Sequence, residues 1–324
     1  MRNGIANRRG VALIVVLLMV SIIVALTIQL NRDTRSEVYG AANLSDGIRL
    51  RYIAESGFNV GEALLLADKN QFDALTEQWA NTEMIALMSE GFFDNGSFKL
   101  AIQDEGGKIA INTLVSGTGY NNLIRDLLLR LLTGPSFRLE QRKAEELIDA
   151  IKDWIDGDDE VTGSGGAEGA FYAGLERPYR SKNKPIDCIE ELLMVKGVTR
   201  ELFYGTRESA GLVQCLTVFG DGKININTAP KPVLQALAVE MSDDEADWLD
   251  KYRRDGRNNL ADLGWYQKLP RASGLNVPAA LIKVKSDTFQ ITAVGVQGRM
   301  TERITGMVRR EGERTVKLLS WKVE

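Results

Sequence analysis

Five carboxylates stand within eight residues in the run Asp153-Trp154-Ile155-Asp156-Gly157-Asp158-Asp159-Glu160, with a glycine among them to turn the backbone. Hard oxygen donors on a turning loop suit Ca2+, which takes about six to eight oxygen ligands. The run is not an EF-hand, because neither the Asp-x-Asp-x-Asp-Gly spacing nor the closing glutamate is present. Candidate ligands are Asp156, Asp158, Asp159, Glu160 and Glu168, with Asp156 and Asp158 foremost. A solvated helix C-terminus is the other reading of the same residues. Acids at that end, however, oppose the helix dipole and repel one another without a cation. Paired carboxylates also serve glycosidases, but nothing in the run sets two acids across a sugar cleft.

Little other reactive chemistry is available. The chain has 324 residues and no histidine. Ser-His-Asp and Cys-His catalysis, Cys/His zinc sites and most general-base enzymology are therefore excluded. Cys188 and Cys215 are the only cysteines. In an oxidising compartment a bridge between them would close a loop of 27 residues, worth about 3–4 kcal/mol in the entropy model. Two unpaired thiols remain the alternative, since spacing does not show that the Cα atoms approach. The balance of 40 basic against 44 acidic residues gives a net charge of -4, which opposes binding of nucleic acid through a broad basic surface.

The elements that must position these residues start with a membrane-length run. Residues 11–28 carry no charge, and Gln29 and Leu30 extend them to the ~20 residues that span a bilayer as helix. Arg2, Arg8 and Arg9 precede the run, while Arg32 and Arg35 after it are interleaved with Asp33 and Glu37. The positive-inside rule then leaves the N-terminus in the cytoplasm and carries residues 31–324 across the membrane. Apolar positions Val38, Ala41, Leu44, Ile48 and Tyr52, continued by Val60, Leu64 and Ala67, recur at helical spacing with no proline. One helix over 11–67, roughly 85 Å long, is expected to pack that stripe on a globular domain. Gly40, Gly47, Gly57 and Gly61 mark a bend or close packing within it.

Residues 98–113 and 216–228 look alike, each an alternating strand, an acidic glycine turn and a second strand ending in Asn-Thr. Both read as β-hairpins whose Asn-Thr ends cap the next helix. Further strands are expected over 288–296, 299–309 and 315–323, and helices over 121–132, 139–155, 171–175, 188–195 and 199–204. A helical stretch of this length between strands that must pair across it implies an inserted domain. The fold class expected is α+β: a long N-terminal helix on an antiparallel sheet, with a large inserted all-helical domain. The expected division is a basic N-terminal segment 1–10, which the resemblance described next makes a leader, a transmembrane helix 11–30, core parts 31–114 and 216–324, and the insertion 115–215.

The junction Arg8-Arg9-Gly10-Val11-Ala12-Leu13 resembles the leader of type IV pilins and pseudopilins, which a prepilin peptidase cuts after the glycine before the new N-terminus is methylated. The cut would fall between Gly10 and Val11. Most members have Glu at the fifth mature position, and Val15 stands there. That departure, together with Asp153-Trp154-Ile155-Asp156-Gly157-Asp158, Gly166-Ala167-Glu168, Pro178-Tyr179, Asn183-Lys184-Pro185, the stretch 191–197 and Ile224-Asn225-Ile226-Asn227-Thr228-Ala229-Pro230, resembles the minor pseudopilin K family of type II secretion systems over nearly the whole chain. The resemblance implies a pilin-like core with a helical insertion, bound calcium and an inner-membrane anchor. It also implies a place at the tip of a periplasmic filament with minor pseudopilins I and J, with H below them, and no catalysis. The segments 192–198 and 227–230 also look like helix-hairpin-helix DNA-binding modules. Thr199 stands where their second glycine is expected, and residues 141–215 hold 10 basic against 15 acidic side chains, which disfavours phosphate contact.

Overall fold

The computed structural model describes residues 8–117, 119–207, 209–270, 274–312 and 315–324, so residues 1–7 of the leader, Arg2 among them, lie outside the described residues. One unbroken helix, α1 (Arg8–Ala67), forms the N-terminal 60 residues of the description. Its first part is long and apolar enough to cross a membrane, and none of that apolar window is buried in the protein.

From Leu50 onward α1 lies on a sheet. The side chains it buries are Leu50, Ile53, Ala54, Phe58 and Leu65. Gly57 and Gly61 permit the approach, since a Cβ would stand 2.9 Å from Phe98 Cγ at the first and 2.8 Å from Ile291 Cγ2 at the second. Gly40 and Gly47 have no such neighbour. The stripe expected to face the domain does so only at its far end, where Val60 and Leu64 pack against the core between α1 and the sheet. Val38, Leu44, Ile48 and Tyr52 are all half or more exposed, because the glycine-bearing face on the other side of the helix can come closest to the sheet.

The remaining elements are α2 (Glu83–Met88), β1 (Ser97–Asp104), β2 (Ile109–Ala110), β3 (Val115–Ser116), β4 (Gly119–Tyr120), α3 (Asn122–Thr133), α4 (Gln141–Ile155), α5 (Gly169–Ala173), α6 (Arg200–Tyr204), α7 (Leu212–Cys215), β5 (Leu216–Thr217), β6 (Ile224–Asn225), α8 (Lys231–Ala236), α9 (Asp243–Arg253), β7 (Ile282–Lys283), β8 (Thr288–Gln297), β9 (Met300–Glu311) and β10 (Thr315–Val323). The expected segment 188–195 forms a 3-10 helix (Ile189–Met194). The sheet under α1 runs β1-β8-β9-β10 and is antiparallel throughout.

Neither expected hairpin forms. β1 pairs with β8, β2 pairs parallel with β5, and β6 pairs parallel with β7. The strand after each glycine turn lasts only two residues, too short to cover the strand before it. The Asn-Thr ends do not cap helices either; they clamp separate segments. Asn112 exchanges hydrogen bonds with the Ile186 backbone and donates to Val218 O. Asn227 Nδ2 donates to Leu260 O at 3.1 Å and its Oδ1 accepts from Trp265 Nε1 at 2.8 Å, and Thr228 Oγ1 donates to Asp104 Oδ2.

Two hydrophobic cores result. The smaller joins α1 to the sheet through Ile53, Phe58, Phe98, Ile291, Ile304 and Val308. The larger runs from Ile109 to Ile282 and includes Leu234, Leu249 and Trp265. The buried apolar side chains of residues 216–282 lie in this larger core. The insertion is not all helical, since the β3–β4 ladder opens it.

Candidate metal centre

α4 is an amphipathic helix whose last turn carries Lys152, Asp153, Trp154 and Ile155, all buried. Asp156 ends it, its N–H donating to Lys152 O at 2.9 Å. Asp153 and Asp156 are three apart and so share a face. The chain then loops out through Asp158–Glu160 and returns along 162–168, where Glu168 precedes α5.

Close packing of glycines makes the return possible. A Cβ at Gly165 would overlap the Glu146 backbone, and one at Gly166 would overlap Asp153 Oδ2. The loop thus presses Glu168 against the α4 terminus. One carboxylate oxygen each from Asp153, Asp156 and Glu168 lies within 4.8 Å of the others, and all three residues are buried.

These oxygens are poorly satisfied from within the protein. Asp153 accepts from the Thr162 N–H at 3.1 and 3.2 Å. Lys152 Nζ donates to Asp156 Oδ2 and, at 2.9 Å, to Thr162 Oγ1. Asp156 Oδ1 and both oxygens of Glu168 are buried with no hydrogen-bond partner. Leaving a buried acceptor unpaired costs about 1–3 kcal/mol, more for a charged group. Burial, followed by the neighbouring Asp153 and Asp156, pushes the Glu168 carboxyl up to about 7. Burial likewise raises Asp156 above its ordinary range, although Lys152 opposes it. Three carboxylates against one ammonium leave a deficit of two positive charges, and an oxygen-binding divalent cation would fill both the charge and the orphaned lone pairs. The donor set therefore fits a hard metal ion.

Of the ligands expected from sequence, the fold brings together Asp156 and Glu168 and leaves three apart. Asp158 Oδ1 accepts from the Glu160 N–H at 2.9 Å, Asp159 Oδ1 accepts from Asn183 Nδ2 at 3.1 Å, and the exposed Glu160 faces solvent. The residue missed among the expected ligands is Asp153, fully buried, whose spacing from Asp156 was the available signal.

A second triad, Asp68, Asp73 and Glu77, lies beyond the end of α1, and here the protein supplies its own cation. Arg310 donates to Asp68 at 2.8 Å and to both oxygens of Asp73 at 2.6 and 2.7 Å. Ser286 N–H adds a bond to Asp73, and the Ala74 N–H and Trp79 Nε1 donate to Glu77.

The two cysteines are separate free thiols, Cys188 exposed and Cys215 buried, so the expected bridge is not formed. Cys215 sits in the larger core at the end of α7, where burial pushes its thiol up to about 12. Cys188 stands outside at the start of the 3-10 helix beside Glu191. Thr199, which interrupts the DNA-binding pattern, is the N-cap of α6 and accepts from the Leu202 N–H at 3.1 Å. Gly10 and Val11 lie on α1 with open space around the first and the second exposed.

The family described as type II secretion system (T2SS), protein K, matches residues 107–207 and again residues 224–285. A type II secretion system protein K of Aeromonas hydrophila is 26% identical, the similarity covering 91% of each chain. Those of Pectobacterium carotovorum and Pseudomonas aeruginosa are 28% and 29% identical over 88% and 73% of this chain. Among solved structures, a chain of the GspK-GspI-GspJ complex from enterotoxigenic Escherichia coli superposes with a TM-score of 0.68 at 15% identity, covering 88% of this chain and 99% of that one. The fold that this likeness supports is a long helix on an antiparallel sheet with a large, mostly helical insertion.

Proposed function

The chain belongs to the type II secretion system protein K family, and from that premise we propose that it sits at the tip of the secretion filament, joined to minor pseudopilins I and J with H below. As a minor pseudopilin its part is structural and not enzymatic. The observation that carries the tip reading is α1, which offers two apolar surfaces the protein does not cover. One is the membrane-length segment. The other is the stripe Val38, Leu44, Ile48 and Tyr52, facing away from the sheet and placed to receive a neighbouring subunit's helix. A solved relative crystallised with GspI and GspJ, which favours those two partners.

Val15 offers no carboxylate to a following subunit's amine, in keeping with a terminal position in the filament. The leader 1–10 is cut by a prepilin peptidase between Gly10 and Val11, and the segment 11–30 anchors the chain in the inner membrane with the bulk in the periplasm. Following the packing, the pilin-like unit comprises α1 with β1 and β8–β10, and the insertion comprises residues 109–282. The metal is calcium, held by Asp153, Asp156 and Glu168, because every donor is an oxygen and the return loop is glycine-rich. It would tie the loop 156–168 to α4.

Intact mass and N-terminal sequencing of the protein from membranes containing the peptidase test the processing. A chain starting at methylated Val11, blocked by Gly10→Ala, is expected, and one still starting at Met1 would overturn it. Ile48→Asp with Tyr52→Asp is expected to abolish co-purification of I and J while leaving the fold intact. Retained co-purification would sink the stripe as the interface. The DNA-binding alternative draws no support from the acidic insertion or from any similar protein.

A further inference from the structure

The four-stranded sheet has two edges, and the protein treats them differently. Along β1, Thr82 Oγ1 donates to Leu100 O, Ser89 Oγ donates to Phe98 O at 3.2 Å, and Phe98 N–H donates back to Ser89 Oγ at 3.0 Å. The segment 82–92, including α2, thereby covers that edge. Among the described residues β10 has a partner strand on one side only. A nine-residue bare edge is a ready template for another strand.

The side chains on β10 describe what that strand would look like. Residues alternate faces along a strand, and Val308 and Ile304 point toward α1. Their register partners Leu318 and Val323, with Trp321 between, therefore share the inner face. Leu318 is 46% exposed and Trp321 39% exposed at the sheet margin, short of one apolar neighbour each. On the outer face Lys317 lies directly opposite Arg309, a like-charge pair that destabilises a sheet unless acids join it, and Glu311, 3.9 Å from Lys317 Nζ, compensates it only in part. Arg309 Nε is buried with no hydrogen-bond partner. Arg303 stands on the same face, and Lys322 there is already paired with Glu324.

We propose that the open edge of β10 docks an extended segment of another protein that alternates apolar and acidic residues and adds a fifth strand to the sheet. Its backbone pairs with β10, its apolar residues pack beside Leu318 and Trp321, and its acids meet Lys317 and Arg309. In such strand addition the main chain supplies affinity and side-chain pockets supply selectivity. A second copy of this chain is a poorer occupant, since antiparallel β10 strands would bring their lysines together.

The test is a fluorescence-anisotropy titration of the full-length chain in detergent with a labelled peptide of nine residues, the length of β10, alternating valine and glutamate. Saturable binding with hydrogen-exchange protection of the β10 amides is expected. Lys317→Glu should weaken it about tenfold, the loss expected when an attractive pair becomes repulsive. Lys99→Glu, on the covered β1 edge, should leave it unchanged, as should circular dichroism for both variants. A peptide with lysine for glutamate should not bind. The proposal is overturned by no saturable binding, by binding indifferent to Lys317→Glu, by protection elsewhere than β10, or by β10-dependent dimers in sedimentation.

Discussion

The two acidic triads have the same ligand chemistry on paper and opposite electrostatics in the fold. Asp68 and Asp73 hold the guanidinium of Arg310, which reaches them from β9, and Glu77 and Asp73 accept from backbone and indole N–H groups. Burial raises the Asp73 carboxyl and Arg310 pulls the other way. Asp153, Asp156 and Glu168 have one lysine, which reaches only Asp156, and three oxygens with nothing to bind. The first triad is a closed ion-pair lock between the end of α1 and the sheet. The second is an open seat for a cation. Acid count does not separate them; the satisfaction of each oxygen does.

The sharpest way to break this comparison is to remove the internal cation. Arg310→Met leaves Asp73 buried and uncompensated, and should cost about 3–5 kcal/mol in urea unfolding, with or without calcium. Rescue of that variant by calcium would mean that the first triad is a metal site too. Next in size, calcium at a hundredfold excess over its dissociation constant should stabilise the wild type by about 2.7 kcal/mol. Glu168→Gln and Asp153→Asn should abolish that gain, whereas Asp68→Asn should retain it, as read by thermal melts in calcium and in chelator.

The pH dependence is slightly smaller and opposite in sense to that of an ordinary salt-bridged carboxylate. Glu168 titrates near 7 in the fold against 4.5 as its unperturbed value, so the metal-free folded state holds the proton more tightly than the unfolded chain. Beside the fall that buried Asp73, also raised to about 7, gives over a similar window, the Glu168 contribution to stability in chelator should be greatest below pH 4.5, fall by on the order of 2 kcal/mol as pH rises to about 7, and level off above. Calcium or Glu168→Gln should flatten that fall, and a rise of stability over the same window would refute the assignment. Gly166→Ala, by pushing a methyl into Asp153, should weaken calcium binding about tenfold, or ~1.4 kcal/mol, in isothermal titration. Smallest of all, Asp159→Ala should change metal affinity and stability by less than about 0.5 kcal/mol; a large loss would place Asp159 among the ligands after all.

Much of this was legible before the structure. The uncharged run, the proline-free helix of about 60 residues, the three C-terminal strands and the helices at 122–133 and 141–155 all follow from periodicity, which survives in any context that buries one face. The acidic residues pointed to a cluster of oxygen donors, and two of those named, Asp156 and Glu168, stand together in the triad the fold assembles. They did not say which carboxylates converge, because that depends on Gly165 and Gly166 packing against α4 from residues ten or more away. The first part of the α1 stripe, Val38 to Tyr52, turned out to face away from the sheet for a related reason. Hydrophobic spacing finds the most apolar face, but the sheet chose the face where Gly57 and Gly61 let Phe98 and Ile291 approach.

Local sequence, through hydropathy, periodicity and composition, determined that the protein has an N-terminal apolar helix, strands and helices at these places, no histidine chemistry and a cluster of oxygen donors. Tertiary structure alone decided the strand partners, the two cores, the separation of Cys188 from Cys215 and the difference between a triad closed by Arg310 and one left open. The physical reason is range. Periodicity is written over a few residues, whereas satisfying a buried charge depends on a partner that stands, as Arg310 does from Asp73, more than two hundred residues away in the chain.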